Sequence, residues 1–174
     1  MQLNSLKIKE AGKDTNGIAT ALNNIGNIYA EQKNMDKAEE YYRNALDIHE
    51  KINDQWGMIN GYLNLGNVYD QSGNYDKALM YYEKGLKISE TINDQYGVAY
   101  FSGNIGIVYS NKKEYEKAKE YYHRELSIKK EINDFLAAIA ANYDKTPIIY
   151  ATKDFYNDYL INDYKNNPIW IRNI

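Results

Sequence analysis

The chain has 174 residues, 44% of them apolar, with two prolines and nineteen tyrosines; that length holds either one ordinary domain or a short run of repeats sharing a continuous core. Its net charge of −3, with lysines and glutamates interspersed, provides no basic stripe to neutralise phosphates and argues against a nucleic-acid partner. No apolar run approaches the roughly 20 residues that span a bilayer, the first residues lack the basic-then-apolar order of a secretory signal, and the absence of cysteine removes disulfides and thiolate metal sites. The expectation is a cytoplasmic protein with no membrane partner and no cofactor.

In chain order, the opening residues Ser5-Leu6-Lys7-Ile8-Lys9-Glu10 match Ala45-Leu46-Asp47-Ile48-His49-Glu50, forty positions on. Three segments then open with Gly17-Ile18-Ala19, Gly57-Met58-Ile59 and Gly97-Val98-Ala99, each forty residues after the last. Their middles recur as Asp36-Lys37-Ala38, Asp76-Lys77-Ala78 and Glu116-Lys117-Ala118, and their ends as Ile52-Asn53-Asp54, Ile92-Asn93-Asp94 and Ile132-Asn133-Asp134. A fixed period of this size marks a solenoid or array. Within a unit the apolar residues fall at helical spacing twice over, as in Leu22, Ile25, Gly26 and Tyr29 and then Ala38, Tyr42, Ala45 and Leu46, so each unit is expected to be two amphipathic helices. Breaks are placed at Gln32-Lys33-Asn34, Ser72-Gly73-Asn74 and Lys112-Lys113-Glu114. Asn53 and Asn93 are suited to the left-handed conformation that ends a helix, and Asp54 and Asp94 to capping the next.

These residues resemble the tetratricopeptide repeat. Its pattern of a large residue, a Leu-Gly pair, a tyrosine, and later an alanine and an aromatic is matched by Leu22, Ile25, Gly26, Tyr29, Ala38 and Tyr42. It is matched again by Tyr62, Leu65, Gly66, Tyr69, Ala78 and Tyr82, and by Ser102, Ile105, Gly106, Tyr109, Ala118 and Tyr122. The glycines would let the two helices of a hairpin approach closely. The period exceeds the common 34, so each second helix is expected to extend about two further turns, through Leu46, Ile48 and Ile52. In this the chain is similar to the extended repeats of kinesin light chains and of bacterial sensor and regulatory proteins. The resemblance implies an all-α fold, a right-handed α-solenoid of antiparallel helical hairpins. The divisions are 1–16, the second helix of a truncated preceding repeat; repeats at 17–56, 57–96 and 97–136; and 137–174, a degenerate fourth repeat interrupted at Thr146-Pro147, with a C-terminal cap or tail. Starting inside a second helix suggests a fragment of a longer array.

Function is sought in the first helices, which line the concave side of such an array. The positions left after the core is assigned are Thr20, Asn24, Asn27 and Glu31; Asn60, Asn64, Asn67 and Gln71; and Tyr100, Asn104, Ile107 and Asn111. An asparagine amide both donates and accepts, so a row of them can pair with the backbone of an extended peptide regardless of its side chains. The resemblance implies such a role for Asn24, Asn27, Asn64, Asn67 and Asn104, and the lack of groove lysines or arginines disfavours a clamp for a terminal carboxylate. The pairs Tyr41-Tyr42, Tyr81-Tyr82 and Tyr121-Tyr122 are read as packing, one ring in the core and one covering the adjacent helix. His49 and His123 are read as separate solvent-facing side chains, not a catalytic pair. The expectation is a non-enzymatic scaffold that binds a protein or peptide. The alternatives are a sensory module controlling an attached kinase, phosphatase or transcription factor, and homo-oligomeric assembly through open repeat ends.

Overall fold

The computed structural model describes residues 14–143, 150–151 and 170–171. Its first compact unit extends to residue 128 and its second covers 129–174. Helices begin every twenty residues because the same punctuation recurs. They are α1 (Thr15–Glu31), α2 (Met35–Lys51), α3 (Gln55–Gln71), α4 (Tyr75–Thr91), α5 (Gln95–Asn111) and α6 (Tyr115–Tyr143). Each of the first four turns is closed by a residue at positive φ: Lys33 (58°), Asn53 (53°), Gly73 (72°) and Asn93 (57°). The next residue satisfies a carbonyl five positions back, as Asn34 N–H does with Tyr29 O at 2.9 Å and Asn74 N–H with Tyr69 O at 2.8 Å, the Schellman arrangement that ends a helix. Asn34 and Asn74 then turn their side chains to Lys37 N–H and Lys77 N–H, capping the helix that follows. One residue thus ends one helix and starts the next. Asp54 caps α3 through Gly57 N–H at 3.1 Å, but Asp94, expected to do the same for α5, holds the position without a side-chain cap bond.

Consecutive helices α1 to α5 pack against one another in order, and α3 also touches α5. Inside each hairpin a tyrosine of the second helix lies flat over a glycine of the first. A Cβ added at Gly66 would stand 2.3 Å from Tyr82 Cε1, at Gly26 2.6 Å from Tyr42, and at Gly106 2.7 Å from Tyr122. These glycines are therefore required by close approach, as expected, and the approaching group is the aromatic of the same repeat. The other tyrosine of each pair stacks on the first-helix tyrosine: Tyr41 on Tyr29, Tyr81 on Tyr69 and Tyr121 on Tyr109, with ring centroids 5.4, 5.5 and 5.7 Å apart. Lys37, Lys77 and Lys117 lie over Tyr29, Tyr69 and Tyr109, a cation–π contact that completes each stack. The tyrosine pairs are thus spent on packing, but not as uniformly as expected. Tyr81 is buried as deeply as its core neighbour, while Tyr122 is 39% exposed.

The junctions between hairpins differ from one another. Between the first and second, His49 is 3% exposed and a Cβ at Gly57 would come 2.0 Å from its Nδ1. The expectation of a solvent-facing His49 is therefore wrong: the ring fills a slot that the absent side chain of Gly57 leaves open. Its Nδ1 is 2.9 Å from Asp54 Oδ2 but out of line for a hydrogen bond. His123 is exposed, as expected. At the same junction Arg43 bonds both Glu39 Oε1 and the Tyr69 hydroxyl at 2.7 Å, and Tyr69 donates to Glu39. Burial works against the Glu39 charge, but the hydrogen bonds from Tyr69 and Arg43 hold its carboxyl below the ordinary value. Between the second and third hairpins the core of the contact is apolar, with Phe101 filling the space over Gly85, and ion pairs of Asp76 with Lys112 and Glu90 with Arg124 lie at its edge.

The second helices reach through Leu46 and Ile48 as expected, Ile52 serving as cap; the first helices are equally long. No turn occurs at Ile132-Asn133-Asp134. α6 continues to Tyr143, and the residue that would follow in register with Gly17, Gly57 and Gly97 is Ala137, which favours helix. In the second unit β1 (Tyr150–Ala151) and β2 (Trp170–Ile171) pair in parallel, Tyr150 with Trp170 and Ala151 with Ile171, which the sequence reading did not anticipate. The helix expected to precede α1 and most of the expected fourth repeat and cap, including Pro147, lie outside the described residues.

Candidate functional site: the first-helix face

α1, α3 and α5 carry the asparagine stripe. Asn24, Asn27, Asn60, Gln71 and Asn111 are exposed, as are Thr20, Glu31 and Ile107; Asn64, Asn67, Tyr100 and Asn104 are half-buried. Two of the asparagines are fixed in orientation by the core tyrosines. Tyr42 donates its phenol proton to Asn27 Oδ1 and Tyr82 donates to Asn67 Oδ1, each at 2.7 Å. Committing the amide oxygen to the tyrosine turns the amide NH2, the donor end, away from the core. In the third repeat Ile107 stands at this position, so Tyr122 has no such amide below it. Asn104 Nδ2 is buried with no hydrogen-bond partner, a state that buried polar groups rarely tolerate.

Asp70, at the end of α3, interacts with groups on α4 and α5. The Asp70 carboxylate lies in hydrogen-bonding reach of the Asn111 amide. Its charge also acts on the Tyr82 phenol, as does Tyr100. The sequence reading does not count Asp70 in the binding stripe, because it stands one residue before Gln71 and matches Ala30 and Ser110 in the other repeats. Its signal was available as an acidic residue at the C-terminal end of a helix, where the helix dipole disfavours negative charge. Asn23 was missed as well: its Oδ1 is buried and unpartnered, and Leu63 and Gly103 at the same position gave no pattern to notice.

The electrostatics around Asp70 set a sign. Burial raises its carboxyl above the ordinary value, the Asn111 hydrogen bond lowers it, and burial dominates. A carboxyl raised by folding favours the protonated form in the native state, so its contribution is complete below the unfolded value of about 3.9 and is lost as pH rises through the native one. The charged Asp70 therefore costs stability at pH 7. Asp70→Asn is expected to raise the thermal midpoint at pH 7, with the difference from the parent closing as the pH is lowered below about 4; a lower midpoint for the variant at pH 7 would contradict this.

Family models described as tetratricopeptide repeat match residues 17–91 and 99–132, together more than half of the chain, and they coincide with the three helical hairpins just described. The chain belongs to the tetratricopeptide repeat family. As a tetratricopeptide repeat protein it has the architecture of an all-helical repeat solenoid and of a protein-interaction scaffold. Among solved structures it is similar to BtubC (BKLC) from P. vanneervenii, at 22% identity and a TM-score of 0.65, with 76% of this chain and 56% of that one covered. It is also similar to the apo form of RapI, at 22% identity and a TM-score of 0.53, with 76% and 61% covered. At such identity the likeness is one of fold, and the chain spans little more than half the length of either protein. No curated protein matches the chain significantly. Among the described residues no helix is long and apolar enough to cross a membrane.

Proposed function

We propose that this tetratricopeptide array binds an extended segment of another protein along the asparagine-bearing face of α1, α3 and α5, by hydrogen bonds to the segment's backbone. The observation that carries the reading is the buried, unpartnered Nδ2 of Asn104. A donor in that state costs roughly 1–3 kcal/mol, which an acceptor arriving with a ligand would remove. The tyrosine-held amides of Asn27 and Asn67 support it further, because donors already fixed by the core lose little freedom on binding. Asn24 and Asn64 occupy the positions equivalent to Asn104 in the other two repeats, so a backbone laid across the hairpins would meet one amide per repeat.

The test is capture of displayed peptides by the parent chain and by the variant with Asn24, Asn64 and Asn104 all changed to alanine. Each lost hydrogen bond is expected to weaken binding by about 0.5–1.5 kcal/mol, so the triple variant should bind captured peptides on the order of a hundredfold more weakly. Equal recovery by both proteins would refute the reading.

A further inference from the structure

The three first helices share a property that the second helices lack. α1, α3 and α5 contain no lysine or arginine at any position, whereas α2, α4 and α6 each carry at least three. On the second helices and turns several acids are paired: Glu39 with Arg43, Asp47 with Lys51, Asp76 with Lys112, Glu90 with Arg124 and Glu114 with Lys117. Glu31 and Asp70, the two acidic residues on the first helices, form no ion pair among the described residues. Both stand in the last turn of their helix, and no first helix has a basic residue there. α2 follows the dipole rule, with Asp36 in its first turn and His49 and Lys51 in its last; α1 and α3 reverse it, and α4 also has an acid in its last turn, Glu90, which is paired with Arg124.

Asp70 is the more costly of the two. It is half-buried, burial outweighs its hydrogen bond from Asn111, and no lysine or arginine acts on it. Around it are the Tyr82 phenol, already committed to Asn67, and Tyr100, whose influence and that of Asp70 both reach Tyr82. A half-buried carboxylate with an amide beside it and no cation acting on it, at the negative end of a helix, is complementary to a cation. One turn along α5 from Tyr100 lies Asn104, whose buried Nδ2 has no hydrogen-bond partner and would be satisfied by a carbonyl. The two requirements meet in one ligand chemistry: a polypeptide backbone that carries a positive side chain.

Resting on the peptide-binding reading above, we propose that the segment bound on this face carries a lysine or arginine whose charged end docks on Asp70 between α3 and α5, beside Tyr100 and Asn111. The partner is a basic segment of another protein. Attraction to a face free of cations would speed its encounter and fix its register, while the asparagines hold its backbone.

The experiment uses two ten-residue peptide libraries, randomised except for a fixed central arginine in one and a fixed central glutamate in the other. Both are captured on the whole chain, on Asp70→Asn, on Asp47→Asn as a control of equal charge change on the second-helix face, and on Asn64→Ala/Asn104→Ala. Thermal unfolding confirms that each variant is folded. The parent and Asp47→Asn are expected to retain the arginine library at least tenfold over the glutamate library, and Asp70→Asn to bring the ratio close to one while still retaining peptides. A parent ratio near one, or a ratio unchanged in Asp70→Asn, overturns the assignment of Asp70 but leaves the backbone-binding reading standing if capture still depends on Asn64 and Asn104. Failure of the parent to capture either library, or capture indifferent to those asparagines, removes both.

Discussion

Phe101→Ala is expected to lower the stability of the array by about 3–5 kcal/mol, the range for emptying a buried aromatic site. Phe101 is 1% exposed, its ring tilted against Tyr82 at 6.3 Å between centroids and its tip occupying the space over Gly85, where a Cβ would lie 2.1 Å from Cζ. It is thus the principal filler between the second and third hairpins, and the backbone of α4 has already come as close as glycine permits. Truncation leaves a cavity that neighbours can close only by shifting whole helices. Because each repeat is stabilised chiefly by its neighbours, losing this junction should also make unfolding less cooperative. Urea unfolding followed by circular dichroism should show an earlier midpoint and a broadened or two-step transition for Phe101→Ala. A single sharp transition displaced by less than 1 kcal/mol would contradict the packing described.

The second large effect is at the other junction. Gly57→Ala places a methyl group 2.0 Å from His49 Nδ1, and the ring, 3% exposed, has nowhere to move. Replacing a helical glycine by alanine is worth about 1 kcal/mol in propensity, while overpacking a filled site costs about 1–3 kcal/mol, occasionally more. An overlap this deep with a trapped ring lies at the upper end, so a net loss of about 2 kcal/mol is expected. His49→Ala empties the slot, and in that background Gly57→Ala should be neutral or stabilising. The double-mutant cycle, measured by denaturant unfolding, should therefore show a coupling of about 2 kcal/mol; additivity of the two changes would show that the ring and the glycine are not in contact.

The reason the fold was legible and the junctions were not is visible in these same residues. Gly26, Gly66 and Gly106, with Tyr42, Tyr82 and Tyr122, repeat at each hairpin, so the close approach within a hairpin could be read from spacing alone. The left-handed turns at Asn53 and Asn93 were likewise foreseeable, since asparagine tolerates that conformation. The turns at Lys33 and Lys113 were placed only because Gly73 held the equivalent position. Contacts between hairpins vary: Ala45 faces one junction where Gly85 faces the next, and Gly61 stands where Phe101 does. A small-for-large exchange on one helix is compensated by the reverse on its neighbour, which appears in a sequence as two unrelated irregularities. His49 follows the same logic, with Ser89 and Lys129 at the equivalent positions giving no hint that the first is buried.

The asparagine stripe was chosen by elimination, as what remained on the first helices once the core had been assigned. That procedure cannot distinguish an amide fixed by a tyrosine, such as Asn67, from one merely exposed, such as Asn60. It also overlooks Asp70, because the lining of a site built from unlike residues on successive repeats has no period. The absence of every lysine and arginine from α1, α3 and α5 was present in the sequence throughout. It became informative only once those helices were seen to be set apart from the second helices, which carry all the lysines and arginines of the six helices.

The most direct test of the binding face is to follow the side-chain amide resonances of the asparagines by nuclear magnetic resonance while a captured peptide is added. Asn34, Asn53, Asn74 and Asn93 lie in the turns and serve as internal controls within the same molecule. The account predicts that Asn24, Asn27, Asn64, Asn67 and Asn104 shift with a common saturation curve while the four turn asparagines stay in place. Movement of the turn asparagines with the first-helix amides unmoved would contradict it.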